Sequence, residues 1–181
     1  GHLVAKAGIV LAGEEAVNKH AWPQCTSRMR AVLILSQLIA NRKTMHRFPE
    51  HLLQGHANFM SGRYAREKNR IRDLASEGQH PSTMIIACCD SRAAPEMIFD
   101  AGPGELFVLR NVANLVPTYQ PDAGQHGTSA GIEFAVKALE IENIVIMGHG
   151  RCGGIKAALS PDHCPLDPGD FIGKWMAMLG E

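Results

Sequence analysis

From Thr83 onward the chain alternates short apolar runs with longer amphipathic stretches. Residues 83–88 (TMIIAC), 105–110 (ELFVLR) and 143–147 (NIVIM) have strand length and are nearly continuous in apolar character. Between the last two, residues 129–140 place Ile132, Ala135, Val136 and Leu139 at helical spacing. A short helical stretch after the loop DSRAAPE runs to Asp100, residues 124–128 read as loop, and helix resumes over 153–159. Strands without a polar face, separated by helices, imply a parallel-cored β-sheet flanked by helices on both sides, an α/β fold. Upstream, residues 49–70 are polar with apolar punctuation at Leu52, Leu53, Phe59, Met60 and Tyr64, the pattern of an N-terminal helical arm that ends over 71–78.

Residues 1–44 carry neither a repeat nor a motif. Their opening Gly-His reads as an extraneous remnant and Met45 as a natural start, which divides the chain into a leader of unknown character (1–44) and a domain (45–181). The apolar run 31–40 (AVLILSQLIA) is interrupted by Ser36 and Gln37 and falls short of the ~18 residues of a membrane span, so a short helix is expected there. A secretory signal starting at Met29 lacks the small-residue cleavage pattern in the following NRKT.

Composition narrows the picture. With 181 residues and 45% hydrophobic content the chain supports one ordinary core. Lys+Arg and Asp+Glu both total 18, which gives no global field toward nucleic acid or an anionic membrane. Residues 1–44 nevertheless hold Lys6, Lys19, Arg28, Arg30, Arg42 and Lys43 against only Glu14 and Glu15, so the remainder is net acidic. Five cysteines, Cys25, Cys88, Cys89, Cys152 and Cys164, make an odd set without a disulfide framework, which points to a reducing compartment, the cytoplasm, and to thiolate chemistry.

Two polar clusters follow strands: Cys88-Cys89-Asp90-Ser91-Arg92 and GHGRCGG, residues 148–154. In open α/β sheets ligands bind beyond the carboxyl ends of strands, and both clusters lie at such ends. The glycine spacing of the second matches G-x-G-x-x-G, a dinucleotide-binding turn. That motif requires a strand and a ribose-binding acid about 20 residues on, whereas Asp167 and Asp170 sit in a Pro-rich loop. A metal site is the better reading. If the pleat persists past Cys88, Cys88 and Asp90 share a face and Cys89 points to the opposite one, into the core. Cys88, Asp90, His149 and Cys152 then form a tetrahedral set suited to Zn²⁺, with a carboxylate position open to exchange, as catalytic rather than structural sites have.

The pair CxDSR (Cys88 to Arg92) and HxxC (His149 to Cys152) resembles the β-class carbonic anhydrases. The resemblance runs from about Phe48 to Met178 and includes FPEHLLQGHANFM, PGELFVLRNVANLVP, GTSAGIEFAV and ENIVIMGHGRCGGIKA. It implies zinc-dependent interconversion of CO₂ and bicarbonate by zinc-bound hydroxide, and a homodimer or higher homo-oligomer. Zinc ligands then fall on Cys88, His149 and Cys152. Asp90 either takes the fourth zinc position or pairs with Arg92 and leaves it open, so the two residues gate the site. By the same resemblance Phe107, Val112 and Phe134 line the CO₂ pocket and Gln79 donates to substrate oxygen, from this or a neighbouring subunit; Phe134 stands where the family often has tyrosine. Gly150, Gly153 and Gly154 are expected to let the backbone turn into a helix whose N–H groups, beginning at Gly153, accept bicarbonate.

The family continues for several dozen residues past Lys174-Trp175-Met176, so the domain reads as truncated, with a sheet edge and part of an interface uncovered. Two other functions fit the same residues: hydrolysis of another small electrophile such as carbon disulfide, and a catalytically inactive module that binds zinc or bicarbonate.

Overall fold

A computed structural model describes the backbone at residues 10–11 and residues 48–122, 124–160, 165–166 and 168–180. These fall into two units, one containing the helices up to Ser76 and the other the sheet domain from Glu77 onward together with residues 10–11. The helix expected over 31–40 lies outside the described residues, as do Cys25 and Cys164.

The first unit supplies α1 (Glu50–Ser61) and α2 (Arg63–Glu77), which meet at Gly62. Neither helix buries a residue, and Phe48, Leu52, Leu53, Phe59 and Met60 remain exposed. Local order comes from the Phe59–Tyr64 ring contact across the break and the Arg63–Glu67 pair one turn apart.

In the sheet domain β1 (Val10–Leu11), β2 (Thr83–Cys88), β3 (Leu106–Asn111) and β4 (Asn143–His149) form one sheet in the order β1-β4-β2-β3, with every pairing parallel. The central position of β2 explains its continuous apolar sequence: Met84, Ile85, Ile86 and Ala87 are at most 2% exposed. Period-2 alternation then sends Met84 and Ile86 to one face and Ile85 and Ala87 to the other. On the first face Ala135, Ile132, Val136 and Leu139 from α4 (Gly127–Lys137) and the residues after it complete the core. On the second, Met147 of β4, Ala93 and Ala113 of two 3₁₀ turns, Cys152 and Met176 pack around Ile85 and Ala87, with Ile98 of α3 (Pro95–Ile98), Ile155 of α5 (Gly153–Ala158) and Ile172 of α6 (Phe171–Met176) against them.

The expected strands are all present, with shifts at their ends. β3 runs one residue later than 105–110, and β4 continues two residues past Met147, through His149. The first four residues of GTSAGIEFAV are already helical, because the N–H of Ala130 bonds back to His126. Gly131 allows α4 to lie against β3, since a Cβ there would run into Leu109. Among the described residues of the 1–44 segment, Val10 pairs with Gly148 and Leu11 with His149, along the edge of β4.

Candidate metal centre

β2 ends at Cys88, but the N–H of Cys89 still donates to the Asn111 carbonyl (2.9 Å), so the chain stays beside β3 for one further step. A 3₁₀ turn over Ser91–Ala93 follows, capped by the Asp90 carboxylate, which accepts from the Arg92 N–H at 3.0 Å. At the end of β4, Arg151 adopts a left-handed conformation (φ 55°) and Cys152 becomes the N-cap of α5. Two parallel strands thus stop side by side: β2 delivers the Cys88 thiol from its last residue, and the turn after β4 returns the Cys152 thiol to the same place.

There Cys88, His149 and Cys152 place one ligand atom each within 4.8 Å of one another. The two thiols are buried, with their sulfurs 3.8 Å apart. Both nitrogens of the His149 ring are buried and have no hydrogen-bond partner. An orphaned buried imidazole costs about 1–3 kcal/mol unless something takes its lone pair. The residues fit Zn²⁺ on two counts. A tetrahedral ion with Zn–S bonds of about 2.3 Å separates its sulfurs by about 3.8 Å, and an S₂N donor set is of the type that selects zinc. Burial pushes the Cys152 thiol up, partly offset by the N–H groups of Ile155 and Gly154 at the start of α5.

Asp90 lies apart from this trio. Its carboxylate is gripped by the Arg92 fork, Nε to Oδ1 at 2.9 Å and Nη2 to Oδ2 at 2.8 Å. The Arg92 side chain, then its backbone N–H and charge, hold the Asp90 carboxyl well below the usual carboxylate range against the opposing effect of burial, with a smaller contribution from His149. The same pairing raises Arg92. Asp90 therefore stays charged and engaged beside the three ligands.

The remaining candidates separate into two groups. Gly153 follows Cys152 directly at the start of α5, and Val112 lies against the next residue, where a Cβ on Gly154 would meet Val112 Cγ1 at 3.0 Å. Phe107 and Phe134 stack together, ring centroids 5.9 Å apart, but Phe107 is level with Met84 in the ladder, four residues before Cys88 and so about 13 Å from it. Gln79 lies in the connection before the amino end of β2, whereas Cys88 is at the carboxyl end of that strand. An open cleft of about 690 Å³, lined by Val112, His126, Thr128, Ile172 and Trp175 among others, has none of the three ligands in its wall.

Two expectations are corrected. Cys89 is exposed rather than core, because β2 ends at Cys88 and the pleat that would send it inward does not continue. The left-handed turn in GHGRCGG falls on Arg151 and not on a glycine, and Gly154 is required for close packing instead. Two contributors were missed. Arg110 reaches the Cys88 and Asp90 carbonyls, and the Trp175 indole N–H donates to the Val112 carbonyl at 2.8 Å. A lone charge at the carboxyl end of an apolar strand was the available signal for Arg110.

A family model described as carbonic anhydrase matches residues 83–181. The chain is 39% identical over 123 residues to beta carbonic anhydrase 5, chloroplastic, of Arabidopsis thaliana, an alignment covering 66% of this chain and 38% of that protein. Among solved structures, the β-carbonic anhydrase CcaA is 38% identical with a TM-score of 0.56, covering 61% of this chain and 52% of its own. A tetrameric β-carbonic anhydrase of Sordaria macrospora is 31% identical with a TM-score of 0.59, covering 72% and 61%. The Coccomyxa β-carbonic anhydrase in complex with acetazolamide is 30% identical with a TM-score of 0.59, covering 72% and 55%. The chain thus spans between 38% and 61% of the length of these relatives.

Proposed function

The chain belongs to the β-class carbonic anhydrase family, and from that premise we propose that it interconverts CO₂ and bicarbonate using Zn²⁺ held by Cys88, His149 and Cys152. The observation that carries the proposal is the His149 ring, buried beside two thiols 3.8 Å apart with neither nitrogen partnered. Bound by these three residues, Zn²⁺ supplies a Lewis acid strong enough to make hydroxide available near neutral pH. The other side chains determine access, orientation and charge.

Arg92 engages both oxygens of Asp90, a hold that would keep this carboxylate from ligating a bound ion. Released from Arg92, Asp90 would be free to ligate the ion itself. The two residues act as a gate, and the grip of the fork favours the open state. Val112 forms an apolar wall beside the centre, and the N–H of Gly153, at the start of α5, orients the anionic product.

Phe107, with Phe134 against it, is too far along the sheet to serve this chain's own centre, and Gln79 precedes the opposite end of β2, so we assign the three to the centre of a second copy in a homo-oligomer. The exposed apolar residues of α1 and the half-exposed Phe134 support association. One matched relative is tetrameric. Among the described residues no helix is long and apolar enough to cross a membrane. Cytoplasm is the compartment read from the sequence, whereas the Arabidopsis relative is chloroplastic; the thiolate ligands ask only that the compartment be reducing.

Stopped-flow CO₂ hydration on purified, zinc-assayed protein tests the assignment. Turnover that rises toward alkaline pH is expected, and stoichiometric zinc without turnover there sinks it in favour of an inactive zinc-binding module.

A further inference from the structure

Arg110 is the only charged residue within β3, and its side chain does not turn to solvent. It crosses to the end of the neighbouring strand, where Nε donates to the Cys88 carbonyl at 2.9 Å and Nη2 to the Asp90 carbonyl at 2.6 Å. Those carbonyls belong to the last residue of β2 and to the cap of the following turn, so one guanidinium spans the point where the sheet ladder stops. Between them, Cys89 is exposed and is tied down by its N–H to Asn111.

We propose that Arg110 is a positioning residue for the metal centre: its two-point hold fixes the end of β2, which presents the Cys88 thiol, and the start of the turn that aims the Asp90 carboxylate at Arg92. The inference rests on the metal-centre reading above. The hold works through two backbone carbonyls, one accepting from Nε and the other from Nη2. A fork is therefore needed, and a lysine, which keeps the charge but offers a single point, does not replace it. Residues that hold metal ligands from behind typically alter metal affinity by about 10–100-fold.

The test measures zinc affinity of the full chain by competition with a chromophoric chelator, alongside the visible absorption of the cobalt(II) form. Wild type is compared with Arg110→Lys, Arg110→Gln and Val108→Ala, the last removing packing from the same strand without touching the turn. Both Arg110 variants are expected to bind zinc about 10–100-fold more weakly and to alter the cobalt bands. Val108→Ala should lose thermal stability but keep wild-type affinity and spectrum. Wild-type affinity in Arg110→Lys, or an equal loss in Val108→Ala, overturns the positioning role. If Arg110→Gln does not fold, Arg110→Lys, which retains the part-buried stem, decides alone. Failure of the wild type itself to bind zinc refutes the metal-centre reading, and this one with it.

Discussion

Gly153 and Gly154 are neighbours at the start of α5, immediately after Cys152, yet replacing each by alanine should affect stability in opposite directions. A Cβ on Gly153 meets nothing within 4 Å. Gly153→Ala then gains from the lower entropy of the unfolded chain, by a few tenths to about 1 kcal/mol. A Cβ on Gly154 lands 3.0 Å from Val112 Cγ1, 3.1 Å from Ala113 Cβ and 3.4 Å from Met176 Sδ. Met176 can flex, but the other two are constrained. Ala113 is fully buried in a left-handed conformation (φ 65°), and the Val112 carbonyl is pinned by the Trp175 indole. Overpacking of this kind costs about 1–3 kcal/mol, from which the glycine-to-alanine gain subtracts, so Gly154→Ala should be destabilising by about 0.5–2.5 kcal/mol. For a domain of this size each kcal/mol moves Tm by about 2–4 °C. Thermal unfolding of the zinc-saturated proteins by circular dichroism reads both values. Equal shifts for the two variants, or a stabilised Gly154→Ala, would mean that α5 does not approach the turn after β3 this closely.

Three further outcomes are expected. Cys152→Ala should lose zinc while Asp90→Ala retains it, as measured by metal content after gel filtration; equal loss in both would make Asp90 a permanent ligand and end the gating idea. Because Arg92 depresses the folded-state pKa of Asp90, the pair stabilises the fold above the ordinary value of 3.8 and its contribution is lost only as pH falls through the lower folded value. In Arg92→Gln the Asp90 carboxyl should titrate higher than in wild type by carboxyl-carbon NMR, and an unchanged titration refutes the pairing. Burial raises the Cys152 thiol, so the metal-free protein carries its proton at neutral pH. Zinc binding should then release protons and tighten as pH rises, which calorimetry in buffers of different ionisation enthalpy measures; pH-independent binding contradicts it.

Much of this site could be read from residue order. The TMIIAC run is β2 to the residue, because a central parallel strand buried on both faces leaves a continuous apolar signature that little else of that length produces. Ile132, Ala135, Val136 and Leu139 pack as their spacing indicated. The boundaries that were missed lie where hydrogen bonding outlasts hydrophobicity. β4 continues through Gly148 and His149, neither of which prolongs an apolar run, because pairing with its neighbours does not depend on side chains. Cys89 was misplaced because alternation is a property of a strand, and the strand had already ended.

The sequence by itself determined the α/β architecture, the strand ends that carry chemistry and the identity of a thiolate–imidazole set, since periodicity and residue type are local properties. Tertiary structure decided which groups meet. It brought Cys88 and Cys152, 64 residues apart, to a 3.8 Å separation. It ran Arg110 across to the carbonyls of Cys88 and Asp90, and left Phe107 far from the centre on the same chain. Each of these depends on strand order, register and the exact residue at which a ladder stops. Those are fixed by the packing of the whole sheet, and no local stretch of sequence encodes them.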